Sequence, residues 1–140
     1  MITSVDSNIF VALWDADNSL NLMAKRALES AHAGGKLIIA APVYAELLAY
    51  PGRTEEFIDS FFSETRIAID WDLSESIWRS AGLAYQAYAA RRRKQSRSEP
   101  RRIQADFLIG AHALENGCRL LTLDERLYAA AFPRLAITII

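Results

Sequence analysis

The amino-acid sequence predicts an α/β domain, a three-layer α/β/α arrangement in which helices cover both faces of a central parallel sheet of about five strands. Short, continuous apolar segments alternate with longer segments of helical periodicity. Strands that are apolar throughout are typical of parallel sheets, because both faces pack against helices. The 140-residue chain is 51% hydrophobic, which is enough to form one domain with its own core, residues 1–140.

The first part of the chain contains two predicted strands. "MITSVDSN" is a short buried strand that ends in turn or cap residues, and we expect Ser7 and Asn8 to cap the helix "IFVALW" that follows it. The next helix, "SLNLMAKRALESAHAGG", has Ser19 as a possible cap and ends at a Gly-Gly stop. "KLIIAAP" is the second strand, and Pro42 occupies the first helical position before "VYAELLAY".

Three further strands alternate with helices in the rest of the chain. The amphipathic helix "TEEFIDSFFSE" precedes "TRIAIDWD", a strand that ends near Asp70. Ser74 is the expected cap of the long helix "SESIWRSAGLAYQAYAARRRKQ". After Pro100, "RIQADFLIGAHALENG" is a helix that Gly117 closes. The strand "CRLLTLD", the short helix "ERLYAAAF" and the strand "LAITII" complete the alternation.

Four carboxylates are predicted to meet at one edge of the sheet. Asp6 and Asp124 come at the tips of strands, and Glu46 and Asp106 come within about the first turn of helices that follow a loop. In open parallel sheets, ligands bind at the carboxyl ends of the strands. Simpler explanations remain open, since Asp6 and Asp124 could cap helices and Asp106 could complement a helix dipole. Glu46 could be an ordinary exposed helix residue.

A cluster of this kind indicates a metal site. Crowded carboxylates repel one another and raise one another's pKa values unless a cation neutralises them. Ligation by oxygen alone suits hard divalent ions such as Mg²⁺, which can polarise a phosphoryl oxygen and orient an in-line attack. Metal, carboxylates and a basic flank together favour phosphodiester hydrolysis.

Other polar residues are expected to have structural roles. Asp70 and Asp72 flank a Trp at a strand end, where turn and cap roles are favoured. Asp15 and Asp17 follow the first helix and are typical of solvated turns. His112 lies in an apolar helix, where a packed or hydrogen-bonded His is favoured over a ligand.

Composition argues against several classes of protein. No apolar segment approaches the roughly 20 residues of a membrane helix. The start of the sequence lacks the basic flank and the cleavage site of a secretory signal, so we expect a soluble, cytoplasmic protein. The single Cys118 cannot form an internal disulfide, and no Cys/His spacing is typical of zinc ligands. We expect Cys118 to be a small buried residue near a strand.

The segments "VDSNIF", "PVYAELL" and "ADFLIGAHALENGCRLLTLD" resemble the PIN-domain family and, within it, the VapC-like toxins of bacterial and archaeal type II toxin-antitoxin pairs. The match extends from Val5 to about Phe132. Each motif alone is weak, but their order and spacing on this alternation of strands and helices are fairly specific. The resemblance implies a PIN-like α/β/α domain with a Mg²⁺- or Mn²⁺-dependent ribonuclease site at the carboxyl edge of the sheet.

The resemblance also implies roles for particular residues. Asp6, Asp106 and Asp124 would be metal ligands, and Thr122 would hydrogen-bond within the site. Glu46 would act on metal-bound water or accept a hydrogen bond behind the ligands. Members of the family typically cut structured or translation-related RNA, form homodimers and are silenced by a cognate antitoxin protein.

A basic segment interrupts an otherwise acidic chain. Residues 91–102 contain seven of the sixteen Lys and Arg residues and one Glu, so the segment carries a charge of +6 and the remainder −7. Either it is a solvated helix end that suits the helix dipole, or it contacts the phosphates of an RNA substrate. The basic residues are Arg91, Arg92, Arg93, Lys94, Arg97, Arg101 and Arg102.

Two rival functions belong to other classes. A PIN-like module could bind RNA or a protein partner without cutting, but a pure binder has no reason to hold four uncompensated carboxylates together. A two-component receiver has an acidic pocket on a similar sheet. It requires paired acids after the first strand and a Lys after the last, and this sequence has neither.

Overall fold

The computed structural model describes residues 1–94 and 104–138. Its strands are β1 (Ile2–Val5), β2 (Lys36–Ala40), β3 (Ala68–Asp70), β4 (Arg119–Leu121) and β5 (Ile137–Thr138). All neighbouring strands pair in parallel, in the order β3-β2-β1-β4-β5. The predicted parallel sheet of five strands is therefore confirmed.

Helices separate the strands along the chain, as the sequence predicts. In the described part these are α1 (Ser7–Leu13), α2 (Asn21–Gly34), α3 (Ala41–Ala49), α4 (Glu55–Thr65), α5 (Glu75–Lys94), α6 (Ala105–Glu115) and α7 (Glu125–Ala131). The chain moves from β1 to β2 and β3 in one direction, then crosses back to β4 and β5. Because such crossovers are right-handed, connections in the two directions pass over opposite faces of the sheet. This is the predicted α/β/α layering.

The carboxyl ends of the strands lie level with one another. Val5 at the end of β1 is in register with Leu121 at the end of β4, and Ala40 is in register with Asp70 across β2 and β3. The chain leaves β1 towards β2 on one side, while β4 lies on the other. The carboxyl ends of β1 and β4 therefore form a topological switch point, which is where α/β sheets bind ligands.

Helix α6 is the most deeply buried helix at this edge. Six of its eleven residues are buried, among them Phe107, Ile109 and His112. Gly110 lies against the ring of Phe132, so a Cβ there would overlap the ring. Because α6 precedes β4 and runs antiparallel to it, the first turn of α6 lies at the carboxyl edge, and its close packing fixes the position of that turn.

Two of the predicted helix caps are wrong. Asp6, not Ser7 or Asn8, is the N-cap of α1, and its side chain accepts a hydrogen bond from the Ser7 N–H. Leu20, not Ser19, precedes α2 and makes no side-chain cap. The Ser74 hydroxyl accepts from the Ile77 N–H at 3.4 Å, as expected for a cap of α5.

Two further expectations concern composition. Cys118 is buried immediately before β4, as predicted. Among the helices of residues 1–94 and 104–138, none combines the length and the apolar composition needed to cross a membrane.

Candidate metal centre at the carboxyl edge

Asp6 occupies the switch point between β1 and β4. Its backbone N–H donates to the carbonyl of Leu121 at 2.9 Å, which continues the pairing of the two strands by one residue. The residue is only 2% exposed. One carboxylate oxygen accepts from the Ser7 N–H and the other from the Thr122 hydroxyl, both at 2.8 Å. Asp6 is thus both a helix cap and a buried carboxylate at the edge of the sheet.

The two residues after Asp6 connect it to neighbouring elements. The Ser7 hydroxyl donates to Glu46 Oε1 at 2.9 Å. The Asn8 side chain donates to Thr122 Oγ1 at 3.4 Å and accepts from the Leu123 N–H at 3.1 Å. These bonds tie the start of α1 to α3 on one side and to the loop after β4 on the other.

Three of the four predicted carboxylates come together. Asp6, Glu46 on α3 and Asp106 in the first turn of α6 each offer one oxygen, and these oxygens lie within 4.8 Å of one another. We call these three residues the acidic triad. Asp6 is buried, Asp106 is half-buried and Glu46 is exposed, so the triad opens to solvent on the Glu46 side.

Asp124 lies beside the triad but is not one of the three. It is exposed and caps α7, since its side chain accepts from the Leu127 N–H at 3.4 Å. Its backbone N–H donates to Thr122 Oγ1 at 3.0 Å, so Thr122 joins Asp124 to Asp6. The charge of Asp124 raises the pKa values of Asp6 and Asp106. The structure therefore brings together a triad with a fourth carboxylate at its margin.

Tyr128 is the residue at this site that sequence reasoning missed. It lies on α7 with its side chain fully buried, and its hydroxyl donates to Asp106 Oδ1 at 3.3 Å. The same hydroxyl lies beside the Asp6 carboxylate. In the sequence, a Tyr in a short amphipathic helix is typical of a core residue, and the ring does pack in the core. Only the tertiary structure reveals where its hydroxyl points.

The surroundings of the acidic triad disfavour the charged form of its three carboxylates. Burial is the largest cause that raises the pKa of Asp6, of Glu46 and of Asp106, and the neighbouring carboxylates raise all three further. Hydrogen bonds from Thr122 and Ser7 partly offset these effects. Among the side chains of residues 1–91 and 104–138, no Lys, Arg or His forms an ion pair with the triad. Among the described side chains, negative charge is concentrated there without a cation to compensate it.

The residues present fit a divalent cation. All three donors are carboxylate oxygens, the ligands that Mg²⁺ and Mn²⁺ prefer. Oxygens about 2.1 Å from one Mg²⁺ are at most about 4.2 Å apart. The triad's limit of 4.8 Å is slightly larger, so a movement of a few tenths of an ångström would close it. A cation would also remove the charge repulsion that raises the three pKa values.

The other polar residues have the structural surroundings that the sequence predicts. Asp70 Oδ1 accepts from the Asp72 N–H at 3.1 Å in a turn, and Asp70 Oδ2 lies 2.8 Å from His112 Nε2. His112 is fully buried, so it is the hydrogen-bonded core His that was expected. Asp15 accepts from the Asp17 N–H in an exposed turn.

The structure describes only part of the predicted RNA-binding segment. Arg91 is exposed on α5, and the backbone of Arg92, Arg93 and Lys94 continues that helix. The remaining predicted contacts, Arg97, Arg101 and Arg102, lie outside the described residues. The role of the segment stays a prediction.

Several solved structures are similar to the whole chain. VapBC2 from Rickettsia felis, bound to a DNA fragment from the promoter, has a TM-score of 0.72 and 20% identity over 100% of this chain and 99% of that one. VapBC-1 from nontypeable Haemophilus influenzae has a TM-score of 0.64 and 23% identity, over 99% and 98%. FitAcB from Neisseria gonorrhoeae has a TM-score of 0.62 and 19% identity, over 98% and 96%. At these identities the likeness shows a shared fold.

Sequence comparisons give the family. A search of the curated proteins found no match to this chain. A model described as the PIN domain matches residues 4–133, nearly all of the 140 residues and the whole of the candidate site. This match confirms the resemblance carried by the motifs around the four carboxylates. The chain belongs to the PIN domain family.

Proposed function

We propose that the protein is a divalent-metal-dependent endoribonuclease that acts as the toxin of a toxin-antitoxin pair. The observation that carries this proposal is the acidic triad, in which oxygens of Asp6, Glu46 and Asp106 lie within 4.8 Å of one another at the carboxyl edge of the sheet. The chain's membership of the PIN family supports nuclease chemistry. The structural neighbours, which are VapBC and FitAcB complexes, support the toxin class.

The proposed cofactor is Mg²⁺ or Mn²⁺. Asp6 and Asp106 would be the leading ligands, with Glu46 facing them and Asp124 completing the negative charge on the side of α7. When bound, such an ion polarises a phosphoryl oxygen and lowers the pKa of water. Repulsion among the carboxylates favours uptake of the ion, because binding removes a cost that the metal-free site carries.

The chain's own residues would divide the remaining tasks. Glu46 is the exposed member of the triad and its Oε1 is held by Ser7, so we assign it to accept a proton from the attacking water. Thr122 donates to Asp6 and fixes the direction of that carboxylate. The basic residues from Arg91 to Arg102 would bind the RNA backbone and position it without reading its sequence. The products would be a 5′-phosphate and a 3′-hydroxyl.

The proposed partners are those expected of the toxin of a toxin-antitoxin pair. A cognate antitoxin would bind the toxin and silence it, as the VapBC and FitAcB neighbours suggest. We further propose that the toxin forms a homodimer and acts in the cytoplasm, where its RNA substrate is found.

The test is RNA cleavage by the purified chain, free of antitoxin, with and without Mg²⁺ or Mn²⁺. We expect cleavage that requires the metal and that is lost in Asp6→Asn. Asp17→Asn is a matched control, because Asp17 is an exposed turn residue outside the site. If the wild type binds RNA but does not cut it with either metal, the protein is the non-catalytic binding module instead. Cleavage that persists in Asp6→Asn contradicts the assignment of the site.

A further inference from the structure

The hydroxyl of Tyr128 stands between two carboxylates of the triad. The ring is fully buried on α7, and the hydroxyl donates to Asp106 Oδ1 at 3.3 Å while lying beside Asp6. These two aspartates come from the end of β1 and the start of α6, 100 residues apart in sequence. Tyr128 is therefore a contact that joins the two elements through a third.

The chemistry of a phenol limits what this hydroxyl can do. It has one hydrogen and so donates to one carboxylate at a time. Asp6 has two other donors, the Ser7 N–H and the Thr122 hydroxyl, each at 2.8 Å. Within the described part of the chain, Asp106 receives a side-chain hydrogen bond from Tyr128 alone. The hydroxyl thus matters most for Asp106.

Without the hydrogen bond from Tyr128, the described residues offer the Asp106 carboxylate no other side-chain donor, so it could rotate away from Asp6. It is half-buried and is repelled by Asp6 and Asp124, so rotation towards water relieves both burial and repulsion. Packing fixes the Tyr128 ring, and therefore the hydroxyl stays at one point in space. A carboxylate oxygen has two lone pairs, so Oδ1 can accept from Tyr128 and still face a cation.

We propose that Tyr128 is a positioning residue that holds Asp106 against Asp6 in the arrangement a divalent cation requires. This inference rests on the proposed metal site. Partners that orient metal ligands typically change metal affinity or activity by about 10- to 100-fold when they are removed. We therefore expect Tyr128→Phe to bind Mn²⁺ about 10- to 100-fold more weakly than the wild type.

The experiment is a calorimetric titration of the chelator-stripped full chain with Mn²⁺ alone. Tyr128→Phe keeps the buried ring and removes only the hydroxyl, and circular dichroism checks that the fold is retained. Tyr44→Phe is the matched control, because the Tyr44 hydroxyl donates to Asp59 at 2.8 Å outside the triad. We expect the control to bind Mn²⁺ like the wild type. Equal or tighter binding by Tyr128→Phe overturns the proposal.

A second readout separates positioning from packing. RNA cleavage by Tyr128→Phe should need more Mn²⁺ for half-maximal rate, yet approach the wild-type rate at saturating Mn²⁺. A purely structural role would lower Tm without moving the Mn²⁺ requirement. If the wild type itself binds no Mn²⁺, the proposed metal site fails. If the wild type binds and Tyr128→Phe binds equally well, only the role of Tyr128 fails.

Discussion

Asp6 and Asp70 lie at the carboxyl ends of strands in the same sheet, yet their surroundings are opposite. Asp6, directly after β1, faces two more carboxylates and no basic partner in the described residues. Asp70, the last residue of β3, lies 2.8 Å from the buried ring of His112. Both carboxylates lie at the edge where open parallel sheets bind ligands, so position alone does not distinguish a functional carboxylate from a structural one.

The pKa values express this difference. Burial is the main cause that raises the pKa of Asp6, and Asp124 raises it further. Partial burial also acts to raise the pKa of Asp70, but the hydrogen bonds from His112 and the Asp72 N–H and the charge of His112 bring it below its ordinary value. Asp70 therefore has a partner within the protein, whereas the acidic triad has no basic partner among the described residues. This difference in counter-charge, seen in the part of the chain that the structure describes, is the more informative signal of function.

The largest expected effect is on catalysis. Asp106→Asn should lower RNA cleavage by more than about 100-fold, because loss of a residue that merely orients a metal ligand already costs up to that amount. Asp70→Asn should cut RNA at the wild-type rate. The measurement is the initial rate of cleavage of one labelled RNA at saturating Mn²⁺. Equal losses in the two variants would show that the two carboxylates do not differ in function.

The second largest expected effect is the stabilisation of the folded protein by bound Mn²⁺. At a Mn²⁺ concentration about 100 times Kd, mass action should stabilise the wild type by about 2.7 kcal/mol. Asp70→Asn should gain the same amount and Asp106→Asn much less, as measured by Tm with and without Mn²⁺. A full gain in Asp106→Asn would mean that the ion binds elsewhere.

Two substitutions of Asp70 test the pair that it forms with His112. Asp70→Ala leaves the buried His112 ring without its partner and should cost about 1–3 kcal/mol in the free energy of unfolding. Asp70→Asn keeps a side-chain oxygen that can accept from His112 and should cost less. Urea denaturation measures both. Mn²⁺ affinity should stay unchanged in each variant, and a weaker affinity in Asp70→Ala would indicate that the pair also supports the triad.

The smallest effect is the pH dependence of stability without metal. The folded-state pKa values of Asp6 and Asp106 lie above their ordinary value of 3.8, so the folded protein binds these protons more tightly than the unfolded chain. Their contribution to stability is complete below about pH 4 and is lost as pH rises through the raised values. Asp70, with a lowered pKa, contributes above its ordinary value of 3.8 and loses that contribution as pH falls through the lowered value.

Melting curves with EDTA from pH 3 to pH 8 test these opposite signs. Relative to the wild type, Asp106→Asn should gain in Tm as pH rises above about 4. Asp70→Asn should match the wild type at the lowest pH and fall behind it as pH rises. Parallel curves for both variants would contradict the opposite directions of the two pKa shifts.

Most of the fold could be predicted because its signals are local. Apolar runs, a Gly-Gly stop and Pro42 near the start of α3 mark elements without knowledge of the tertiary structure. The capping error at α1 also has a local cause. Asp6, Ser7 and Asn8 are all good cap residues, and a shift of one residue in the end of β1 decides which of them caps. The sequence could therefore narrow the cap to three residues but could not choose among them.

Site residues could be predicted from the sequence only where they lie at strand ends or in the first turns of helices at the carboxyl edge of the sheet. Strand ends and the first turns of following helices meet there, which is why Asp6, Glu46 and Asp106 could be expected together. The contact of Tyr128 with Asp106 and that of Asp70 with His112 join residues 22 and 42 positions apart. Such contacts depend on how helices pack over the sheet, and no spacing in the sequence encodes them.

The most direct test of the central claim is the position of a bound cation. Crystals of the wild-type chain grown with Mn²⁺ can be measured for anomalous scattering, which locates the metal independently of any assay. We predict a strong anomalous peak among the carboxylates of Asp6, Glu46 and Asp106, and none beside Asp70 and His112. A well-ordered triad without a peak, at a Mn²⁺ concentration that supports RNA cleavage, would contradict the proposed metal site.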